Sequence, residues 1–325
     1  MKPAGSKLLS WLADIHPTVK TAIQIVLSVV LLWILFYLID PGEIADALLH
    51  ADSMRVIAAL SLVPLSIVLT ISVWWILLKL IDSSVTLRSA SGAVMAGYAL
   101  AVITPARIGE LGARVYYHRT LGKKRLLGAF AVQGVYRTSL YFAGGAVAIY
   151  HATRVGLLDS SIWTPVAMAA LMGSALFVAA GVIPKTIVSW MSRFPLLSRF
   201  VPALDFVDKL SGRTTMLLFA VSSVRYLMTI SQFSLLLYAM GVRVEVQALL
   251  SGAGFVFFIK SFVPNLFFTD LGIREGTAAF FFQSMGDFGP EAVAAALGLF
   301  GLNAVLPAIA GIPVLWFKPK ISDPA

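Results

Sequence analysis

The stretch that decides the fold is Thr104-Pro105-Ala106-Arg107-Ile108-Gly109-Glu110-Leu111-Gly112-Ala113-Arg114. It lies between two apolar runs, each too short to cross a bilayer alone, since a spanning helix needs about 20 residues. Pro105 removes a backbone donor and Gly109 loosens the chain, so a helix passing through is interrupted. Arg107, Glu110 and Arg114 then fall where hydrocarbon is expected. Ionisable groups at membrane depth are costly and point to function. A second stretch, Val263-Pro264-Asn265-Leu266-Phe267-Phe268-Thr269-Asp270-Leu271-Gly272-Ile273-Arg274-Glu275-Gly276, answers the first. Both read as broken re-entrant hairpins.

Working outward, the composition sets the class. Of 325 residues, 59% are hydrophobic and 13% charged, with mean hydropathy +0.88. A soluble domain carries about a quarter charged residues. The chain therefore reads as an all-α polytopic membrane bundle, because helices satisfy their own backbone in lipid. The net charge of +9 sits in loops beside apolar spans, which suits orientation in a membrane better than a nucleic-acid partner. Cysteine is absent, so no disulfide, thiolate nucleophile or Cys metal site is expected. His16, His50, His118 and His151 are scattered without ligand spacing; no metal and no cofactor are expected. Residues 1–20 are polar and amphipathic, without a cleavable signal, and the first apolar run is long enough to span.

One integral membrane domain is expected over 1–325, with full spans near 19–39, 56–81, 126–150, 162–183, 215–240 and 292–317. Repeat one covers 19–150, with its hairpin near 90–121. Repeat two covers 162–317, with its hairpin near 248–285. Between them, 184–213 reads as a cytoplasmic amphipathic linker, mixing Trp190, Phe194 and Phe200 with Lys185, Arg193 and Arg199; a connector packed on the bundle fits the same composition. Val85 precedes Pro105 by the interval at which Val244 precedes Pro264. Each half crosses an odd number of times, so the second is inverted, as in duplicated transporters.

Charge supports the inversion. With both termini in the cytoplasm, that side collects most of the Lys and Arg, and the other holds Arg55, Arg154 and Arg243 among several acids. This is a positive-inside bias in the cytoplasmic (inner) membrane. The hairpins then enter from opposite faces and their tips meet near the midplane.

Six cations remain inside spans or hairpins: Arg107, Arg114, Arg137, Arg225, Lys260 and Arg274. Three acids accompany them: Glu110, Asp270 and Glu275. Glu110 precedes Arg114 by four residues, and Asp270 precedes Arg274 by four, the favourable helical order for pairing. Such pairs can be purely structural, since burying an unpaired charge is prohibitive. The surplus of cations favours function, and guanidinium matches lipid phosphate. Arg107, Glu110, Arg114, Arg137, Arg225, Asp270, Arg274 and Glu275 are the candidate substrate-binding set. Gln133, Gln232 and Asn303 read as helix glue, and Tyr98, Tyr116, Tyr136 and Tyr226 as packing.

On Pro105-Ala106-Arg107-Ile108-Gly109-Glu110 with Arg114, and on Leu271-Gly272-Ile273-Arg274-Glu275-Gly276, the chain resembles the lysylphosphatidylglycerol synthase transmembrane-region family of flippase-like membrane proteins. The likeness extends over about 19–317. It implies a role in moving aminoacylated or other polar lipids between leaflets, with membrane lipids as partners and lipid-synthesis enzymes as further ones. Synthase members carry a soluble aminoacyl-transferase domain after the membrane region, and this chain is expected to lack it. The gap from Pro264 to Gly272 is longer than that from Pro105 to Gly109, so the two tips do not match residue for residue. The leading expectation is a lipid translocator. The alternatives are a membrane enzyme acting on lipid-linked phosphate or sugar, which lacks an Asp-x-Asp pair or a Ser/His/Asp set here, and a non-catalytic partner of a lipid-biosynthesis pathway.

Overall fold

The computed structural model describes residues 40–104, 108–262 and 267–316 together with Trp33 and Tyr37. The side chains of Leu196 and of residues 267–271 fall outside that description, as do the expected first span and Arg107. The described chain is helical throughout, without strands. Its helices are α1 (Pro41–Leu49), α2 (Ser53–Ser61), α3 (Val63–Ile81), α4 (Leu87–Ile103), α5 (Ile108–Tyr117), α6 (Lys123–Arg154), α7 (Ser160–Val182), α8 (Pro184–Met191), α9 (Pro195–Ser198), α10 (Gly212–Ala239), α11 (Val246–Phe262), α12 (Phe267–Gln283), α13 (Gly289–Phe300) and α14 (Leu306–Trp316). A π-helical turn, Gly301–Val305, joins the last two.

Local chemistry sets the boundaries. Asp40, Asp52, Thr86, Asp159 and Ser211 accept from backbone N–H groups in the first turns of α1, α2, α4, α7 and α10, satisfying donors the helix leaves open. Pro41, Pro64, Pro184 and Pro290 sit in the first turn of their helices, where the missing N–H costs nothing.

Among the described residues, four stretches are long and apolar enough to cross a membrane: Ser53–Ile81, Ser160–Val182, Gly212–Ala239 and Gly289–Trp316. The protein is an all-α integral membrane bundle. The second expected span is broken once, at Leu62 between α2 and α3. α6 is the longest helix, 32 residues, but polar groups in its middle, Gln133 and Arg137 among them, lower its hydropathy. α4 and α11, the leading arms of the two expected hairpins, have 17 residues each. At 1.5 Å per residue each is roughly 25 Å long, short of the ~30 Å hydrocarbon core.

α4 packs on its return arm α5, and α11 on α12. Each leading arm also packs against the last helix of the other half: α11 on α6, and α4 on α14. Both of these contacts are close enough to exclude a Cβ. One built on Gly145 of α6 would lie 2.2 Å from Phe258, and one on Gly311 of α14 2.2 Å from the Met95 carbonyl.

The apolar interior is divided in two. One core gathers α11, α12 and α13 around Phe233, Phe255, Phe258, Phe281 and Phe282. The other gathers α3 and α4 around Trp74, Leu77, Leu78, Leu126 and Tyr136, closed by Phe206, Val207 and Leu210. The expected linker is thus segmented: Trp190, Phe194 and Phe200 are exposed while its last part packs into the bundle. α6 and α10 run through both cores, and each carries an arginine at the junction. Arg137 follows Tyr136 of one core and precedes Ala146 of the other; Arg225 lies between Leu218 and Ile230.

Candidate functional site

The first hairpin turns at Thr104. Its hydroxyl donates to the Leu100 carbonyl (2.6 Å) and accepts from the Gly109 N–H (2.8 Å), stitching the return arm to the leading one. A Cβ on Gly109 would sit 2.4 Å from the Leu100 carbonyl oxygen, so only glycine allows this approach. Glu110 therefore falls in the first turn of α5, where a carboxylate complements the positive helix end. One turn later Arg114 is buried to 1% exposure. Its Nη2 donates to Glu110 Oε1 (2.7 Å) and its Nη1 to Gln133 Oε1 of α6 (2.8 Å). The guanidinium lies over Trp74 at 4.7 Å and Phe130 at 5.3 Å from the ring centroids, a placement that aromatic quadrupoles favour.

The second hairpin solves the same problem differently. Gly272 has φ +113°, outside the helical region, and the buried Glu275 three residues on reaches back. Its Oε2 accepts from the Gly272 N–H (2.6 Å), as in one half of a capping box. Its Oε1 accepts from Arg274 Nη2 (2.5 Å). Arg274 is buried, with its guanidinium 5.6 Å from the Phe300 ring.

Between the two cores lies a cavity of about 290 Å³. Its walls carry Ser66 and Thr70 from α3, Tyr98 from α4, Glu110 and Arg114 from α5, and Gln133, Arg137 and Thr138 from α6. The far side supplies Arg225 and Thr229 from α10, Lys260 and Ser261 from α11, Arg274 from α12 and Asn303 from the π turn. Arg137, Arg225, Gln133, Tyr141 and Thr229 also line a small side cavity against α3. Among the described residues, Arg137 and Arg225 form no ion pair, and Arg225 Nε is buried without a hydrogen-bond partner.

The cavity is cationic and walled by both hairpins. The model of the lysylphosphatidylglycerol synthase TM region matches residues 21–311. The chain belongs to that family. No curated protein matches it.

Membership places the protein among integral membrane proteins of lipid-related function. Glu110, Arg114, Arg137, Arg225 and Arg274 all line the one cavity. Glu275 stands behind Arg274 and does not line it. Arg107 and the Asp270 side chain lie outside the described residues, so the expected Asp270–Arg274 contact is not described; the described partner of Arg274 is its neighbour Glu275. Lys260 belongs to the wall although it was not in the candidate set. Gln133, expected as helix glue, does link two helices, its Oε1 on α6 accepting from Arg114 on α5. Asn303 and Gln232 do bind helices together: Asn303 Nδ2 donates to Gln232 Oε1 (3.1 Å) and Gln232 Nε2 to the Ala59 carbonyl (3.0 Å). The aromatic seats Trp74 and Phe130 went unnoticed in the sequence.

Among the described residues no group of three or more His, Asp or Glu side chains converges as a metal site. What the arrangement can do is bind: fixed guanidinium groups, an ammonium and neutral hydroxyl and amide groups face one polar space between apolar cores.

Proposed function

We propose that the protein is a flippase-like lipid translocator. A polar or charged head group passes through the cavity while its acyl tails stay in the bilayer. The observation that carries this reading is the cavity itself, walled by both hairpins and set between the two apolar cores. The reciprocal packing of α4 on α14 and α11 on α6 supports an inverted repeat whose hairpins re-enter from opposite faces. The 17-residue leading arms suit re-entrant rather than spanning helices. Loop charge supports both termini in the cytoplasm and residence in the inner membrane. Family membership supports a lipid as cargo.

The test is a leaflet-accessibility assay. Proteoliposomes carry a fluorescent phospholipid that a membrane-impermeant reductant bleaches from outside. Protein-free vesicles lose the outer-leaflet signal only; vesicles with the wild-type chain lose most of the remainder. Arg137→Ala and Glu110→Ala slow that second phase. Variants that fold normally and move lipid at the wild-type rate rule out the cavity as the route.

A further inference from the structure

Not all the cavity cations are equally committed. Arg114 is held by Glu110 and Gln133 and seated on Trp74 and Phe130. Arg274 is held by Glu275 and seated by Phe300. Arg137 and Arg225 form no ion pair among the described residues; the buried Nε–H of Arg225 lacks an acceptor, as does that of Arg274, so the missing ion pair is what sets the two apart. Both sit near the midpoints of α6 and α10, about 20–25 Å from either helix end at 1.5 Å per residue. A side chain at that depth cannot reach the interface to be hydrated. The two share the main cavity and the side cavity, with Thr229, Gln133 and Tyr141 beside them as neutral donors and acceptors.

We infer that Arg137 and Arg225 together bind the phosphate group of a ligand whose polar part is net anionic. Guanidinium donors in a fork match phosphate oxygens two at a time, and two such forks on separate helices can hold one phosphate from two sides. The sign of the whole site agrees. The described cations Arg114, Arg137, Arg225, Lys260 and Arg274 face the carboxylates Glu110 and Glu275, an excess of three positive charges. An ammonium-bearing head group would bring a further cation to a site whose described carboxylates are already bonded to arginine. Like charge at that range in a partly dehydrated space is strongly unfavourable.

The inference rests on the translocator reading of this cavity, and its test separates the two. The purified full chain in a non-ionic detergent is titrated with dioctanoyl phosphatidylglycerol (net negative), dioctanoyl phosphatidylcholine (zwitterionic), dioctanoyl lysylphosphatidylglycerol (net positive) and inorganic phosphate, with binding read by native mass spectrometry. The anionic lipid is expected to bind about tenfold or more tightly than the other two lipids. Arg137→Gln and Arg225→Gln are each expected to weaken it about tenfold, the size of one lost charge-assisted hydrogen bond. Arg137→Lys, which keeps the charge and loses the fork, falls between. If inorganic phosphate competes the lipid away in the wild type and fails to do so in the double glutamine variant, the clamp holds and a soluble phosphate is a second source of its ligand. Tighter binding of the cationic lipid, or undiminished anionic binding by a folded double variant, overturns the clamp. Transport is read separately in the leaflet assay. Selective binding without lipid movement sinks the translocator and spares the clamp; movement indifferent to head-group charge does the reverse.

Discussion

Arg114 on the first hairpin and Arg274 on the second reach the same cavity by different local routes. On α5 the helix is regular, so Glu110 stands one turn before Arg114 and pairs with it across the helix face, while α6 lends Gln133 as a second acceptor. On α12 the backbone turns aside at Gly272, and the carboxylate that pairs with the arginine is its immediate neighbour, Glu275. That carboxylate also caps Gly272. The first hairpin therefore divides its polar bonding among several groups from two helices. In the second, one side chain carries both the ion pair and the backbone cap, so the two hairpins should fail differently when a carboxylate is removed.

The largest effect is expected from Glu275→Gln. Glu275 is completely buried and Arg274 nearly so, and breaking a buried pair leaves an uncompensated charge, a loss of about 3–5 kcal/mol. Glu110→Gln should cost less, about 1–3 kcal/mol, because Arg114 keeps Gln133 and its aromatic seat. Thermal melting of the purified variants in one detergent compares them directly. Equal losses would mean that the division of labour between the hairpins does not govern their strength.

The next contrast lies within the first hairpin. Gly109→Ala would force a methyl to 2.4 Å from a backbone carbonyl oxygen at the arm-to-arm contact, with a cost of about 1–3 kcal/mol. Gly112→Ala, three residues on, meets nothing within 4 Å and should stabilise by about 0.5–1 kcal/mol, the ordinary gain of alanine over glycine in a helix. Opposite signs from one substitution on one helix would locate the contact; two similar shifts would remove it.

These contrasts also show what the sequence could convey. A charge in an apolar run is conspicuous, so Glu110, Arg114, Arg137, Arg225 and Arg274 were identifiable one by one, and so were the hairpin arms that carry most of them. The Glu110–Arg114 pair was legible because residues four apart share a face of an unbroken helix. The same arithmetic pairs Asp270 with Arg274, a contact that lies outside the described residues, and it does not reach Glu275, the neighbour that bonds Arg274 where Gly272 leaves the helical region. Contacts between distant segments were out of reach for a different reason. Nothing local in Trp74 or Phe130 states that a guanidinium from α5 will lie against its ring; the break at Leu62 and the π turn at Gly301–Val305 differ, each followed two residues on by a proline, Pro64 and Pro307. The division of the interior into two cores is likewise a property of packing rather than of any one stretch.

The smallest expected change sharpens the comparison most. If the hairpin arginines are fixed by their partners while Arg137 and Arg225 await a ligand, then removing charge at the latter should not weaken the empty protein. Arg137→Gln keeps a polar end and discards a charge that has no described carboxylate partner, so its melting temperature should stay within about 0.5 kcal/mol of wild type or rise slightly. Arg114→Gln, by contrast, strips Glu110 of its buried partner and should melt markedly lower, by the logic that makes half of a buried pair worse than none. A destabilised Arg137→Gln protein would mean that the arginine at the junction of the two cores is a structural tie like the other two, and that the cavity has no arginine held in reserve for a ligand.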